Sequence, residues 1–207
     1  NLESGGGATD ILEGLEESGF ISRSVPFGKK NNDAIYRLID EYSLFYLVWI
    51  RRIPGSALSS GTTGIWLQRR NSRSYKAWAG YSFENICLKH ISQIKSYLGI
   101  SGISTIASSW YYRPINGKEQ GVQIDLIIDR GDNCINLCEI KYSDFEFIIN
   151  KSYAAGLKIK RDIFKQKTRT TKSIFMVMIT THGTSQNRYY NELIDQQMNM
   201  KPLFLPD

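Results

Sequence analysis

The sequence predicts a mixed α/β fold whose larger, C-terminal part runs α-β-β-β-α-β. Three observations carry this. Residues 121–130 and 134–141 are apolar runs separated by Gly131-Asp132-Asn133, which reads as a β-hairpin. Helical spacing flanks that hairpin, with Phe83, Cys87, His90, Ile94 and Leu98 before it and Tyr153, Leu157 and Phe164 after it. Ser173–Thr180 is a short, nearly continuous apolar run of the kind found in buried strands.

In chain order, residues 9–18 read as a short helix with Ile11, Leu12 and Leu15 apolar and Gly19 as its C-cap. Residues 20–25 read as a strand, 26–32 as a turn rich in Gly, Asn and Lys, and 34–38 as the returning strand. Helix, strand, basic turn and strand form the second half of a winged helix. Asp40 is placed to cap an aromatic helix over 42–50, apolar almost all round and therefore expected to lie buried between the two halves of the chain. Residues 54–64, rich in Gly, Ser and Thr, read as a loop. Ser82 is placed as the N-cap of a helix to about Leu98, with Glu84 in its first turn, and Gly99 to Gly102 ends it. A strand over 103–112, the hairpin, a helix over 152–167 and the last strand complete the order. We therefore expect a partial winged helix with its connecting helix over 1–50, a basic linker over 51–80 and an α/β domain over 81–207.

Composition narrows the class. The chain has 207 residues, of which 42% are hydrophobic and 12% aromatic, enough for a core. No apolar run approaches the ~20 residues needed to span a bilayer. The first ten residues are polar and acidic, unlike a secretory signal, so a cytoplasmic protein is expected. The chain opens without methionine and in mid-pattern, as a part of a longer protein would. Cys87, Cys134 and Cys138 are an odd number in apolar settings and are expected as free thiols. Without a CxxC pair, and with only His90 and His182 to help, a zinc site is not expected. His90 falls in an apolar stripe and reads as a core residue, and the run Trp110-Tyr111-Tyr112 reads as core packing, with stacking on bases as the alternative.

The net charge of +6 is unevenly spread. No acid lies between Tyr42 and Phe83, where Arg51, Arg52, Arg69, Arg70, Arg73 and Lys76 occur. The helix over 152–167 carries a second basic group, with Lys151, Lys158, Arg161 and Lys165 sharing a face by their spacing. Such clusters suit a polyanion, and equally a solvated helix face.

The hairpin holds the chemistry. Strand side chains alternate, so Glu139 and Lys141 project from one face and Ile140 from the other, while Gln123, Asp125 and Ile127 share a face of the first strand. Pairing those faces brings two carboxylates and an ammonium together. That set can hold Mg²⁺ and orient a water for phosphodiester hydrolysis.

Asp125 in the second strand, Glu139-Ile140-Lys141 in the third and Glu84 on the preceding helix resemble the PD-(D/E)XK nuclease superfamily, whose core has the same αβββαβ order. Ile124 stands where that motif usually has proline. Gly-Gly-Ala-Thr-Asp-Ile-Leu-Glu-Gly-Leu-Glu-Glu-Ser-Gly-Phe-Ile, Pro-Phe-Gly-Lys-Lys, Tyr-Arg-Leu-Ile-Asp, Trp-Ala-Gly-Tyr-Ser-Phe-Glu and Asn-Leu-Cys-Glu-Ile-Lys are similar to the C-terminal half of bacterial and archaeal AAA-type ATPases. In that group a P-loop ATPase domain precedes a winged helix and a nuclease-like domain. The chain contains no G-x-x-x-x-G-K-[ST], so such an ATPase domain is expected outside it, as a partner.

The resemblance implies that Asp125 and Glu139, with the backbone carbonyl of Ile140, bind Mg²⁺ or Mn²⁺. It implies that Lys141 orients the attacking water and that Glu84 meets the metal directly or through water. Lys151, Lys158, Arg161, Lys165, Arg69 and Arg70 would then hold the nucleic acid, with DNA the expected substrate. A catalytically silent nuclease fold that binds nucleic acid or regulates the ATPase is the alternative.

Overall fold

Strand alternation and helix spacing meet in a five-stranded mixed sheet with helices on both faces. The computed structural model describes residues 6–51, 53, 65–114 and 120–205. It divides into two units, one of Asn1–Val25 and Lys30–Ser82, the other of Pro26–Lys29 and Phe83–Asp207.

In the first unit, α1 (Gly6–Glu17) ends at Gly19, whose φ of +75° favours a residue without a Cβ. Strands β1 (Ile21–Ser24) and β2 (Ile35–Leu38) pair antiparallel from Ile21↔Leu38 to Ser24↔Ile35. This is the expected helix and strand pair. Helix α2 (Glu41–Phe45) is capped as expected: Asp40 Oδ2 accepts from the Ser43 N–H at 2.6 Å. It continues as a wider turn over Tyr46–Ile50. The expectation that this segment is buried all round is corrected. Trp49 is buried, while Tyr42 is 73% exposed and Tyr46, Leu47 and Val48 are also exposed. The reason is local: Phe45 and Trp49 turn inward onto Trp66, Tyr75 and Trp78, with ring centroids 5.6–6.4 Å apart. One side of the helix satisfies that cluster and the other is left to solvent.

The segment expected as a linker is helical where described. Helix α3 spans Ile65–Arg70 and α4 spans Arg73–Lys89. The loop expected over 54–64 lies outside the described residues. Ser82 is interior to α4 rather than its cap, because residues 73–82 suit a helix and Ala79 is already buried. The helix stops at His90 (φ −112°, ψ 39°), and α5 follows over Ile91–Tyr97.

The second unit holds the sheet. Its strands are β3 (Thr105–Tyr112), β4 (Val122–Arg130), β5 (Cys134–Lys141), β6 (Ser173–Thr180) and β7 (Gln196–Met198), adjacent in that order. β3-β4-β5 are antiparallel; β5-β6 and β6-β7 are parallel. Helix α6 (Lys151–Thr168) makes the crossover a parallel pair requires. The expected α-β-β-β-α-β order is present, extended by α7 (Arg188–Leu193) and β7.

Alternation divides the sheet's side chains between two layers. Leu126, Ile128, Cys138, Ile140, Val177 and Ile179 meet Phe83, Cys87, Ile94 and Leu98 on one face. Ile127, Ile135, Leu137, Met176 and Met178 meet Ala154, Leu157 and Phe164 of α6 on the other. Trp110 is core as expected, its ring edge-on to Phe164 at 5.1 Å. The three cysteines are free. Among the described residues no helix is long and apolar enough to cross a membrane.

Candidate functional site

The site forms where β4 and β5 part. Their paired register ends at Leu126↔Cys138, and one step further would set Asp125 opposite Glu139. Instead the Ile140 N–H donates to Asp125 Oδ2 at 3.2 Å, so a side chain takes the place of the next strand bond. The strands open into a cavity of about 330 Å³ lined by Glu84, Gln120, Gly121, Val122, Gln123, Asp125, Glu139, Ile140, Lys141, Gly156, Ile159 and Lys160. Both expected carboxylates, Lys141 and Glu84 thus share one cavity.

Glu139 is the most constrained member. Its Oε1 accepts from the Tyr153 hydroxyl at 2.9 Å and its Oε2 from Lys160 Nζ at 2.6 Å. The residue is buried, and a buried carboxylate is costly to leave without hydrogen-bond and ion-pair partners. Asn150 holds Tyr153 in place, since its Oδ1 accepts from the Tyr153 N–H at 2.9 Å and caps α6. Lys141 Nζ lies 5.9 Å from the centre of the Tyr153 ring. Tyr153 is therefore a neighbour of both, bonded to the carboxylate through its hydroxyl and close to the exposed ammonium through its ring.

Electrostatics sets Asp125 apart. Burial, then the charges of Glu139 and Glu84, push its carboxyl up to about 7, against the opposing pull of Lys160 and the Ile140 N–H. Burial and the Glu139 charge push the Tyr153 hydroxyl upward, which keeps it a donor. Burial raises the Cys87 and Cys138 thiols too, so neither is a nucleophile near neutral pH.

Glu84 lies in the interior of α4, not in a first turn, so the helix dipole does not account for an acid there. The basic stripe is placed differently from the expectation. Lys165 is nine residues from Gly156, about 180° round the helix, so Lys151, Lys158, Arg161 and Lys165 lie on the side away from the cavity-lining Gly156 and Lys160. Lys158 pairs with Glu192 of α7 at 2.6 Å, and Arg161 with Asp162 at 3.3 Å. Arg69 and Arg70 belong to the first unit, where Arg69 donates to the Trp49 carbonyl at 3.1 Å and lies over its ring. Lys160 also belongs to the site, although it is not among the residues expected there. Its signal was present: Tyr153, Leu157, Lys160 and Phe164 recur at helical spacing, so one lysine stands in the stripe that faces the sheet.

The donor set fits a hard divalent cation. It offers oxygen ligands, and a bound cation would relieve the repulsion from Glu139 and Glu84 that adds to burial in lifting Asp125. Asp125, Glu139 and the Ile140 carbonyl would hold it, with waters completing the shell. Among the described residues, no three His, Cys, Asp or Glu side chains already converge as a preformed metal cluster. Comparison with protein-family models, curated proteins and solved structures gives no significant match.

Proposed function

We propose that this chain is a PD-(D/E)XK-like, metal-dependent phosphodiesterase acting on nucleic acid, with DNA the substrate. In this reading it belongs to the C-terminal part of an AAA-type ATPase and works in the cytoplasm beside a P-loop ATPase domain. The helix and strand pair of the first unit would be the remnant of a winged helix. The observation that carries the activity is the cavity itself. It gathers Asp125, Glu139, Glu84 and Lys141 at the point where two strands separate, with one carboxylate pushed toward neutrality by burial and by its acidic neighbours.

Mg²⁺ or Mn²⁺, when bound, supplies Lewis-acid stabilisation of the phosphate and a more acidic bound water. The chain's own residues do the rest. Asp125 and Glu139 present oxygen ligands from two strands whose positions the sheet fixes. Lys141 offers a proton donor or a positive charge to the phosphate from an exposed strand end. Tyr153 keeps the Glu139 carboxylate oriented.

The experiment is cleavage of a labelled DNA duplex and single strand with Mg²⁺, Mn²⁺ or a chelator, using wild type and Asp125→Asn. Cleavage that needs metal and Asp125 supports the reading. Cleavage unchanged by the substitution overturns it.

A second reading has one observation in its favour. Both oxygens of Glu139 already have partners, as in a nuclease fold kept only to bind nucleic acid or to regulate an ATPase. That reading predicts salt-sensitive DNA binding with no turnover under any metal.

A further inference from the structure

We propose that Lys160 is the resident counter-ion of Glu139 and that a divalent cation enters the site by displacing it. This rests on the metal-binding reading above and adds to it a positioning residue on α6.

Lys160 occupies a stripe position otherwise filled by Tyr153, Leu157 and Phe164, so its stem runs toward the sheet rather than along the basic side of the helix. Its ammonium meets Glu139 Oε2 at 2.6 Å. The two partners differ in exposure, with the Glu139 side chain 9% exposed and that of Lys160 27%. A carboxylate so enclosed is costly to leave unpaired. The lysine has a four-carbon stem and already lines an open cavity, so it can leave.

Tyr153 and Lys160 have separate tasks. Tyr153 donates to Oε1 and so fixes the carboxylate's orientation through the oxygen that Lys160 does not touch. Lys160 neutralises the other oxygen, the one that must be vacated for a cation. A divalent ion brings two positive charges shared between Glu139 and Asp125, and the repulsion between these carboxylates makes that exchange favourable. The released ammonium then faces the cavity, together with Lys141, where a phosphate would sit. The metal-free site thus keeps Glu139 satisfied without a preformed cation cage.

The test is Mn²⁺ binding, read by electron paramagnetic resonance of the free ion and by calorimetry, on wild type, Lys160→Gln, Lys160→Met, Lys160→Arg and Asp125→Asn. Thermal melts check that each variant is folded. Removing the competing charge should tighten Mn²⁺ binding in Lys160→Gln and Lys160→Met by about tenfold or more, while Lys160→Arg keeps the competitor and gains nothing. If Lys160 is only a structural partner, Lys160→Gln and Lys160→Met bind Mn²⁺ as wild type does or more weakly, which overturns the proposal. In that case, binding that still disappears in Asp125→Asn leaves the metal-site reading intact. Absence of binding to every protein at millimolar Mn²⁺ overturns both.

Discussion

Lys160 and Glu139 form a short ion pair, Nζ to Oε2 at 2.6 Å, between a helix and the strand that carries the Glu-Ile-Lys sequence. The pair joins the apolar stripe of α6 to the end of β5 that lines the cavity. It accounts for a buried glutamate that, among the described residues, belongs to no preformed metal cluster.

Asp125→Asn should abolish metal-dependent hydrolysis, by more than about 100-fold, because a ligand and its charge are lost together. The fold should persist, since Asn still accepts from the Ile140 N–H. Cleavage assays paired with circular dichroism check both parts.

The raised Asp125 carboxyl makes stability depend on pH. The folded state holds this proton up to about 7, whereas the unfolded chain releases it near the ordinary carboxylate value of 3.8. Between those two values the folded state binds more protons, so this group's contribution favours folding at low pH and fades as pH rises through 7. Metal binding requires the ionised form, so affinity should rise over the same interval. Denaturant melts and Mn²⁺ titrations from pH 4 to 8, compared with Asp125→Asn, isolate the contribution.

Lys141→Ala should lower hydrolysis by roughly 10²–10⁴-fold while leaving metal affinity nearly intact. Its side chain is exposed, so stability should move by less than about 0.5 kcal/mol. A split between turnover and Mn²⁺ affinity is the readout. Equal loss of both would place Lys141 in metal binding instead.

Lys158→Ala and Lys165→Ala should leave turnover at saturating substrate unchanged, because their stripe lies on the side of α6 away from the cavity. The Lys158–Glu192 pair is exposed and screened by solvent, so losing it should leave stability little changed. Any loss of DNA affinity should appear as a shallower salt dependence.

Phe164→Ala should destabilise the second unit by ~3–5 kcal/mol. The ring is fully buried, edge-on to Trp110 at 5.1 Å and tilted against Phe27 at 5.5 Å. Thermal or urea unfolding measures this directly.

Much of the second unit was legible because its signals are long and redundant. The hairpin follows from two apolar runs and a Gly-Asp-Asn turn, and Ser173–Thr180 has the bounds its apolar run suggests. The start of α4 was not legible, because Ser82 imitates an N-cap in the middle of a helix that begins at Arg73. Strand β7 has three residues, too few to show a period. It is fixed by tertiary bonds such as Asp195 Oδ2 accepting from the Met176 N–H at 2.7 Å. At the site, Asp125, Glu139 and Lys141 stood out as charges inside apolar strands. Lys160 was hidden among the neighbouring lysines and arginines of its helix. Its place in the apolar stripe, not its charge, distinguishes it.

The central claim is that Asp125 and Glu139 hold a divalent cation. A crystal structure of the protein with Mn²⁺, using anomalous scattering to locate the ion, tests it most directly. The account predicts one peak bonded to both carboxylates, with Lys160 withdrawn from Glu139. A cavity without a peak at saturating Mn²⁺, and with Lys160 still on Glu139, would contradict it.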